Sequence, residues 1–209
     1  MLPFDDDAQP DPARFTAFDG HRRLASGPLH EAALAVKRSA ESGAAGPLLV
    51  FDDATGRVVD VDTRGSEVEV VARLSREATV PEAAEAEPRR RGRPKLGVVA
   101  REVTLLPRHW DWLAAQPGGA SVALRKLVEE ARRGSAGTDR RRGARDAAYR
   151  FMSAMAGDLP GFEEAARALF ADDRRRFDAL VAAWPADIRD HAVALAFSGG
   201  VDGSRDAGG

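Results

Sequence analysis

The chain contains no cysteine. Disulfides, thiolate nucleophiles and zinc sites built on Cys are therefore excluded. Histidine is scarce: His21, His30, His109 and His191 lie too far apart for a local metal-ligand spacing. Aromatics make up only 6% of the residues, so small cores of Ala, Leu and Val are expected. No stretch approaches the ~18 apolar residues a membrane helix needs. Met1 to Pro12 carries Asp5, Asp6, Asp7 and Asp11, where a secretory signal needs a basic start and an apolar run. A cytoplasmic chain with no membrane contact is expected. Gly-rich phosphate loops, nucleophile elbows and metal-ligand patterns are also missing. No catalytic residue, metal or cofactor is expected.

What remains is a chain of 209 residues, 44% hydrophobic and 31% charged, with a formal net charge of -2. That is enough for a packed core. It excludes a globally basic nucleic-acid binder, so any such binding must come from locally segregated charge.

The pattern along the chain predicts an α+β protein in several parts. Residues 1–13 read as a disordered acidic leader. Residues 14–74 read as a small hairpin-helix-hairpin domain. Its first strand, Phe15 to Phe18, ends at the turn pair Asp19-Gly20, and Arg22 to Ala25 is its partner. Pro28 suits the first turn of a helix whose apolar face is Leu29, Ala33, Val36 and Ala40. Leu48 to Phe51 is an apolar run of strand length, and Arg57 to Asp62 alternates as its partner. A short helical run, Glu67 to Leu74, follows. Residues 75–97 form a linker whose sign switches from Glu82, Glu85 and Glu87 to Arg89, Arg90 and Arg91. Residues 98–133 read as a strand-helix-helix unit. Gly134 to Gly137 reads as a joint. Residues 138–197 read as a helical bundle, with breaks at Gly157, Asp172-Asp173 and Pro185, and 198–209 as a disordered Gly-rich tail.

The run Arg89-Arg90-Arg91-Gly92-Arg93-Pro94-Lys95 carries five cations and no acid. Gly92 lets the backbone approach a groove floor closely, and Pro94 biases Arg93 toward an extended conformation. Arg91-Gly92-Arg93-Pro94 resembles an AT-hook. That resemblance implies binding in the minor groove of AT-rich double-stranded DNA, whose narrow, strongly negative groove attracts guanidinium groups. A nonspecific phosphate contact or a solubilising linker is the plainer reading.

Next comes Val98 to Leu106, strand-like, then Pro107 and a helix from about Arg108 to Gln116. Gly118-Gly119 turns the chain into a second helix, capped by Ser121, with Leu124, Leu127, Val128 and Ala131 on one face. This unit resembles a ribbon-helix-helix. The resemblance implies a homodimer whose paired strands enter the major groove. Arg101 and Thr104 are the candidate contacts. They fall on opposite faces of a strand. With Val103 and Leu105 turned inward, Glu102 points outward with Thr104. A carboxylate there can accept from cytosine but repels phosphate. The opposite face carries Arg101 beside two apolar residues. A dimerisation module of the same shape, a plain helical hairpin and a helix-turn-helix also fit. Trp110 and Trp112, two positions apart, face different sides of a helix, so at least one is expected in a core.

Asp52, Asp53, Asp60 and Asp62 cluster in one predicted hairpin and could bind a hard cation. Turn chemistry and a solvated face are the ordinary explanation. His21 could pair with one of them. Arg140-Arg141-Arg142 and Arg174-Arg175-Arg176 each follow an Asp at a helix start and read as solvated faces, or as added phosphate contacts.

Phe18-Asp19-Gly20-His21-Arg22, the block from Gly92 to Arg132, and Arg150 to Pro160 together resemble a bacterial family catalogued only as domain of unknown function 2239. The resemblance covers most of residues 15–197 and implies no activity. The expected function is DNA binding, as a transcriptional regulator or nucleoid-associated protein. The alternatives are a non-catalytic adaptor with a basic linker and, more remotely, an enzyme built on the Asp-rich hairpin.

Overall fold

Gly20, at φ 54°, and His21 make the two-residue turn of the first hairpin, and Asp19, expected in the turn, is the last strand residue, paired with Arg22. The structure, a computed structural model, describes residues 13–79 and 101–197. Strands β1 (Phe15–Asp19) and β2 (Arg22–Gly27) lead into helix α1 (Leu29–Glu41). Strands β3 (Leu48–Asp52) and β4 (Arg57–Val59) follow, then α2 (Glu67–Thr79). After the undescribed stretch come α3 (Pro107–Ala114), α4 (Gly119–Met155), α5 (Phe162–Phe170), α6 (Arg174–Val181) and α7 (Ala186–Phe197). The class is α+β. The two expected hairpins join into one antiparallel sheet of order β2-β1-β3-β4.

The chain divides into two compact units, one of residues 1–79 with 140–209 and one of residues 80–139. In the first, the pleat of β1 and β3 sends alternate residues to opposite faces. Ala17 and Val50 pair in register and meet Ala32 and Val36 of α1. Phe18, Leu49 and Phe51 turn the other way and join Phe151, Met152, Leu169, Phe177 and Ile188 in the largest core. Phe18, Phe51 and Phe151 meet with ring centroids 5.0 to 6.0 Å apart. A strand buried on both faces reads as a continuous apolar run, as Leu48 to Phe51 does.

This sharing corrects the expectation of separate bodies at 14–74 and 138–197. A sheet carrying Phe18, Leu49 and Phe51 on one side cannot leave that side in water, and a domain of about 60 residues is only marginally stable alone. The helices after residue 140 cover it. They also meet at the β3–β4 turn. Gly56 has φ of 66°, and a Cβ there would lie 2.0 Å from the Ala147 carbonyl oxygen. Arg150 donates to the neighbouring Thr55 carbonyl at 2.9 Å. Trp184 is buried, and its indole N–H donates to the Pro160 carbonyl at 3.0 Å.

The joint expected at Gly134 to Gly137 is also corrected. Both glycines lie inside α4. A glycine weakens a helix interior by only about 1 kcal/mol relative to Ala. The Glu, Arg and Ala residues on either side of this pair favour helix.

The leader 1–12, residues 80–100 and the tail 198–209 lie outside the described residues. They include the basic run Arg89–Lys95 and the first part of the expected strand, Val98–Ala100.

Candidate nucleic-acid interface

The second unit is described from Arg101 to Asp139. Residues 101–106 carry no strand assignment. An isolated ribbon strand has no neighbour to bond, so a single copy offers no ladder for it. Arg101, Glu102, Val103 and Thr104 are exposed, and Leu105 is half-buried. Leu106 has extended backbone at φ -67° and ψ 149° and precedes Pro107, which takes the first helical position of α3. Leu113 is buried. Trp110 and Trp112 are both exposed, at 41% and 52%, so neither forms the core position expected of one of them. Gly118 and Gly119, at φ 86° and 73°, supply the left-handed turn into α4.

The unit buries Leu113 and Ala123 but leaves many of its large apolar side chains in water. Among the described residues, ten large hydrophobic side chains are exposed, and six lie here: Val103, Leu106, Trp110, Trp112, Leu127 and Val128. One exposed Leu needs no explanation, but six in so short a stretch are more than scattered surface apolar residues account for. Arg125 and Arg133 each donate Nε only to a backbone carbonyl, those of Ser121 and Glu129. Arg132 bonds Glu129 at 2.8 Å. The Arg132 guanidinium, first among the causes, holds the Glu129 carboxyl below its usual range.

The other candidates belong to the first unit, and most are used by its fold. Asp52 accepts from the Ala54 N–H at 2.9 Å and the Thr55 hydroxyl at 2.8 Å, ordinary turn chemistry. Asp62 holds Arg64 at 2.9 Å and Arg73 at 3.4 Å. Its carboxyl lies far below the usual range, chiefly through the Arg64 hydrogen bond. Asp60 is exposed. Among the described residues no three His, Asp or Glu side chains are grouped to hold a metal. Asp53 takes the Thr16 hydroxyl at 3.0 Å. Its second oxygen lies 3.4 Å from Nε2 of buried His191, and neither of those two atoms has a hydrogen-bond partner. His191 sits between the rings of Phe18 and Phe151, at 5.5 and 4.6 Å. No sequence signal pointed to this contact, because α7 and the β3–β4 turn are remote in the chain. His21, expected as a possible partner for these carboxylates, is exposed.

The Asp19-Gly20-His21-Arg22 motif is also structural. Asp19 accepts from the Ser39 hydroxyl at 2.9 Å, the Gly46 N–H at 2.8 Å, the Ala45 N–H at 3.3 Å and Arg22 at 3.2 Å. These bonds, the one from Ser39 foremost, lower its pKa. Arg174 and Arg176 are engaged with Asp178 and Glu164, at 3.6 and 2.9 Å. Asp173 caps α6 through the Arg176 N–H. Two of the three arginines of this run are thus paired on a helical face.

The stretches around Asp19 and from Arg150 to Pro160, two of those behind the family resemblance, thus serve the shared core. The chain belongs to the family described as uncharacterized protein conserved in bacteria (DUF2239), whose sequence pattern matches residues 14–196. None of the curated proteins and none of the solved structures matches it. The DUF2239 match spans both units and brings no activity with it. Among the described residues, no helix is long and apolar enough to cross a membrane.

Proposed function

We propose that the chain is a non-catalytic DNA-binding protein of the cytoplasm, a transcriptional regulator or nucleoid-associated protein that acts as a homodimer. Arg91, Arg93 and Lys95, with Arg89 and Arg90 beside them, enter the minor groove of AT-rich duplex. Residues 98–133 pair with a second copy, and Arg101 or Thr104 contacts the DNA according to which strand face turns outward. The observation that carries this reading is the exposed apolar set from Val103 to Val128. It lies on a stretch whose sequence resembles a strand-helix-helix dimer module, directly after the basic run. A second copy would cover it and give 101–106 the neighbour a strand needs.

The test has two parts. Solution mass should be that of a dimer for the wild-type chain and of a monomer for Leu127→Glu with Val128→Glu, without loss of the first unit's melting transition. Gel-shift titration should show tighter binding to AT-rich than to GC-rich duplex. Arg91→Ala with Arg93→Ala should cost about 1–3 kcal/mol on the AT-rich site. A wild-type chain that is monomeric, or that binds neither duplex at physiological salt, overturns the proposal.

A further inference from the structure

We propose that one face of α4 is a second DNA contact, a phosphate-binding stripe formed by Arg125, Lys126, Arg132 and Arg133. This inference rests on the DNA-binding reading above and assigns to that partner a surface separate from the basic run. At about 100° per residue, these four side chains fall on an arc of roughly 120° along about 12 Å of helix axis. Leu124, Leu127, Val128 and Ala131 fall on an arc centred roughly 150° away. A partner that covers the apolar arc therefore leaves the cations in water.

The carboxylates on this stretch do not neutralise it. Glu129 lies within the basic arc and is bonded to Arg132. Glu130 lies at its margin. Arg125 donates Nε to the Ser121 carbonyl and Arg133 to the Glu129 carbonyl, bonds to neutral groups that leave both cationic charges in place. All four cations are exposed. Guanidinium groups suit phosphate because their planar donors match its oxygens, and a row of them along a helix tracks a backbone without reading bases. The stripe supplies affinity and salt dependence, whereas the basic run supplies preference for AT-rich sequence.

Removing one phosphate contact lowers the slope of log affinity against log salt by about 0.9. The full chain carrying Arg125→Ala, Lys126→Ala and Arg133→Ala should thus drop by between about 2 and 3 units of slope, and by at least about tenfold in affinity at physiological salt. Its ratio of AT-rich to GC-rich affinity should stay at the wild-type value. Alanine favours helix, so circular dichroism should show α4 intact. Arg125→Lys with Arg133→Lys should keep the slope, which separates loss of charge from loss of structure. An unchanged slope in the triple alanine variant, with wild-type binding intact, overturns the stripe and leaves the proposed function standing. A wild-type chain that binds no duplex removes both.

Discussion

The two units treat the same residue types in opposite ways. In the first, Phe18, Phe51, Phe151 and Phe177 are fully buried, and Trp184 is nearly so. In the second, Trp110 and Trp112 lie in water. The first unit pairs many of its arginines internally: Arg38 with Glu67, Arg64 and Arg73 with Asp62, Arg167 and Arg176 with Glu164, Arg189 with Asp190. The second sets Arg125, Lys126, Arg132 and Arg133 around Glu129, with Glu130 at their margin. A self-satisfied body and a body with unmet apolar and charged surface differ in where function is to be sought. Surface already engaged in internal contacts is not open to a partner.

The contrast breaks most visibly if both units respond alike to the removal of an aromatic ring. Phe151 meets Phe18, Phe51 and His191, so Phe151→Ala leaves a cavity at the junction of sheet and helices. It should cost about 3–5 kcal/mol in denaturant unfolding. Trp112→Ala, measured at a concentration low enough to keep the chain monomeric, should change stability by no more than ~0.5 kcal/mol. Similar effects at both sites would mean that Trp112 has a partner within its own chain.

Gly56→Ala probes how tightly the sheet and the later helices of the first unit are joined. The substitution meets both an unfavourable left-handed backbone and the Ala147 carbonyl. A decrease of roughly 2–4 kcal/mol in unfolding free energy is expected. A neutral result would mean that the turn swings away from α4 at little cost, and that the N-terminal sheet is a more independent body than the shared core implies.

Much of the first unit was legible. Asp19-Gly20, Pro28 and the periodicities of α1 and of α5 to α7 encode local geometry, and local geometry is what sequence pattern reports. The union of 14–74 with 140–197 was not legible. It depends on the outward face of β1 and β3 meeting Phe151 and Ile188, and no local pattern specifies which distant helix covers a sheet. His191 against Asp53 escaped for the same reason. In the candidate interface, the turn at Gly118-Gly119 was readable, whereas the stripe Leu124, Leu127, Val128, Ala131, spaced as a buried face, is exposed at its last three positions. That both tryptophans would be exposed was not readable either, because an apolar stripe marks what seeks burial without saying whether its own chain supplies the cover.

A smaller effect, confined to acid, should mark Asp19. Its pKa is lowered in the folded state by the Ser39, Gly46, Ala45 and Arg22 donors. A carboxylate with a depressed folded pKa stabilises fully above its unfolded value, about 3.9, and that contribution disappears as pH falls from there through the folded value. The melting temperature of the first unit should therefore drop below about pH 4. The drop should be shallower in Asp19→Asn. Parallel profiles for the two proteins would show that the loop at Ala45-Gly46 is held by something other than this charge.

The smallest expected effect lies in α4, where the sequence had suggested a joint. A Cβ added at Gly134 or Gly137 meets nothing within 4 Å, so alanine fits either position without displacing a neighbour. Because the backbone there is helical, each Gly→Ala change removes unfolded-state freedom and should raise local helix stability by up to about 1 kcal/mol. Hydrogen exchange of the amides from about Glu130 to Arg140 would read this as several-fold slower exchange in Gly134→Ala and Gly137→Ala. Amides that exchange at unprotected rates in both the wild-type chain and the variants would restore the joint. The second unit would then owe less to α4 than to the partner proposed for it, because the helix bearing Arg132 and Arg133 would end where those residues begin to matter.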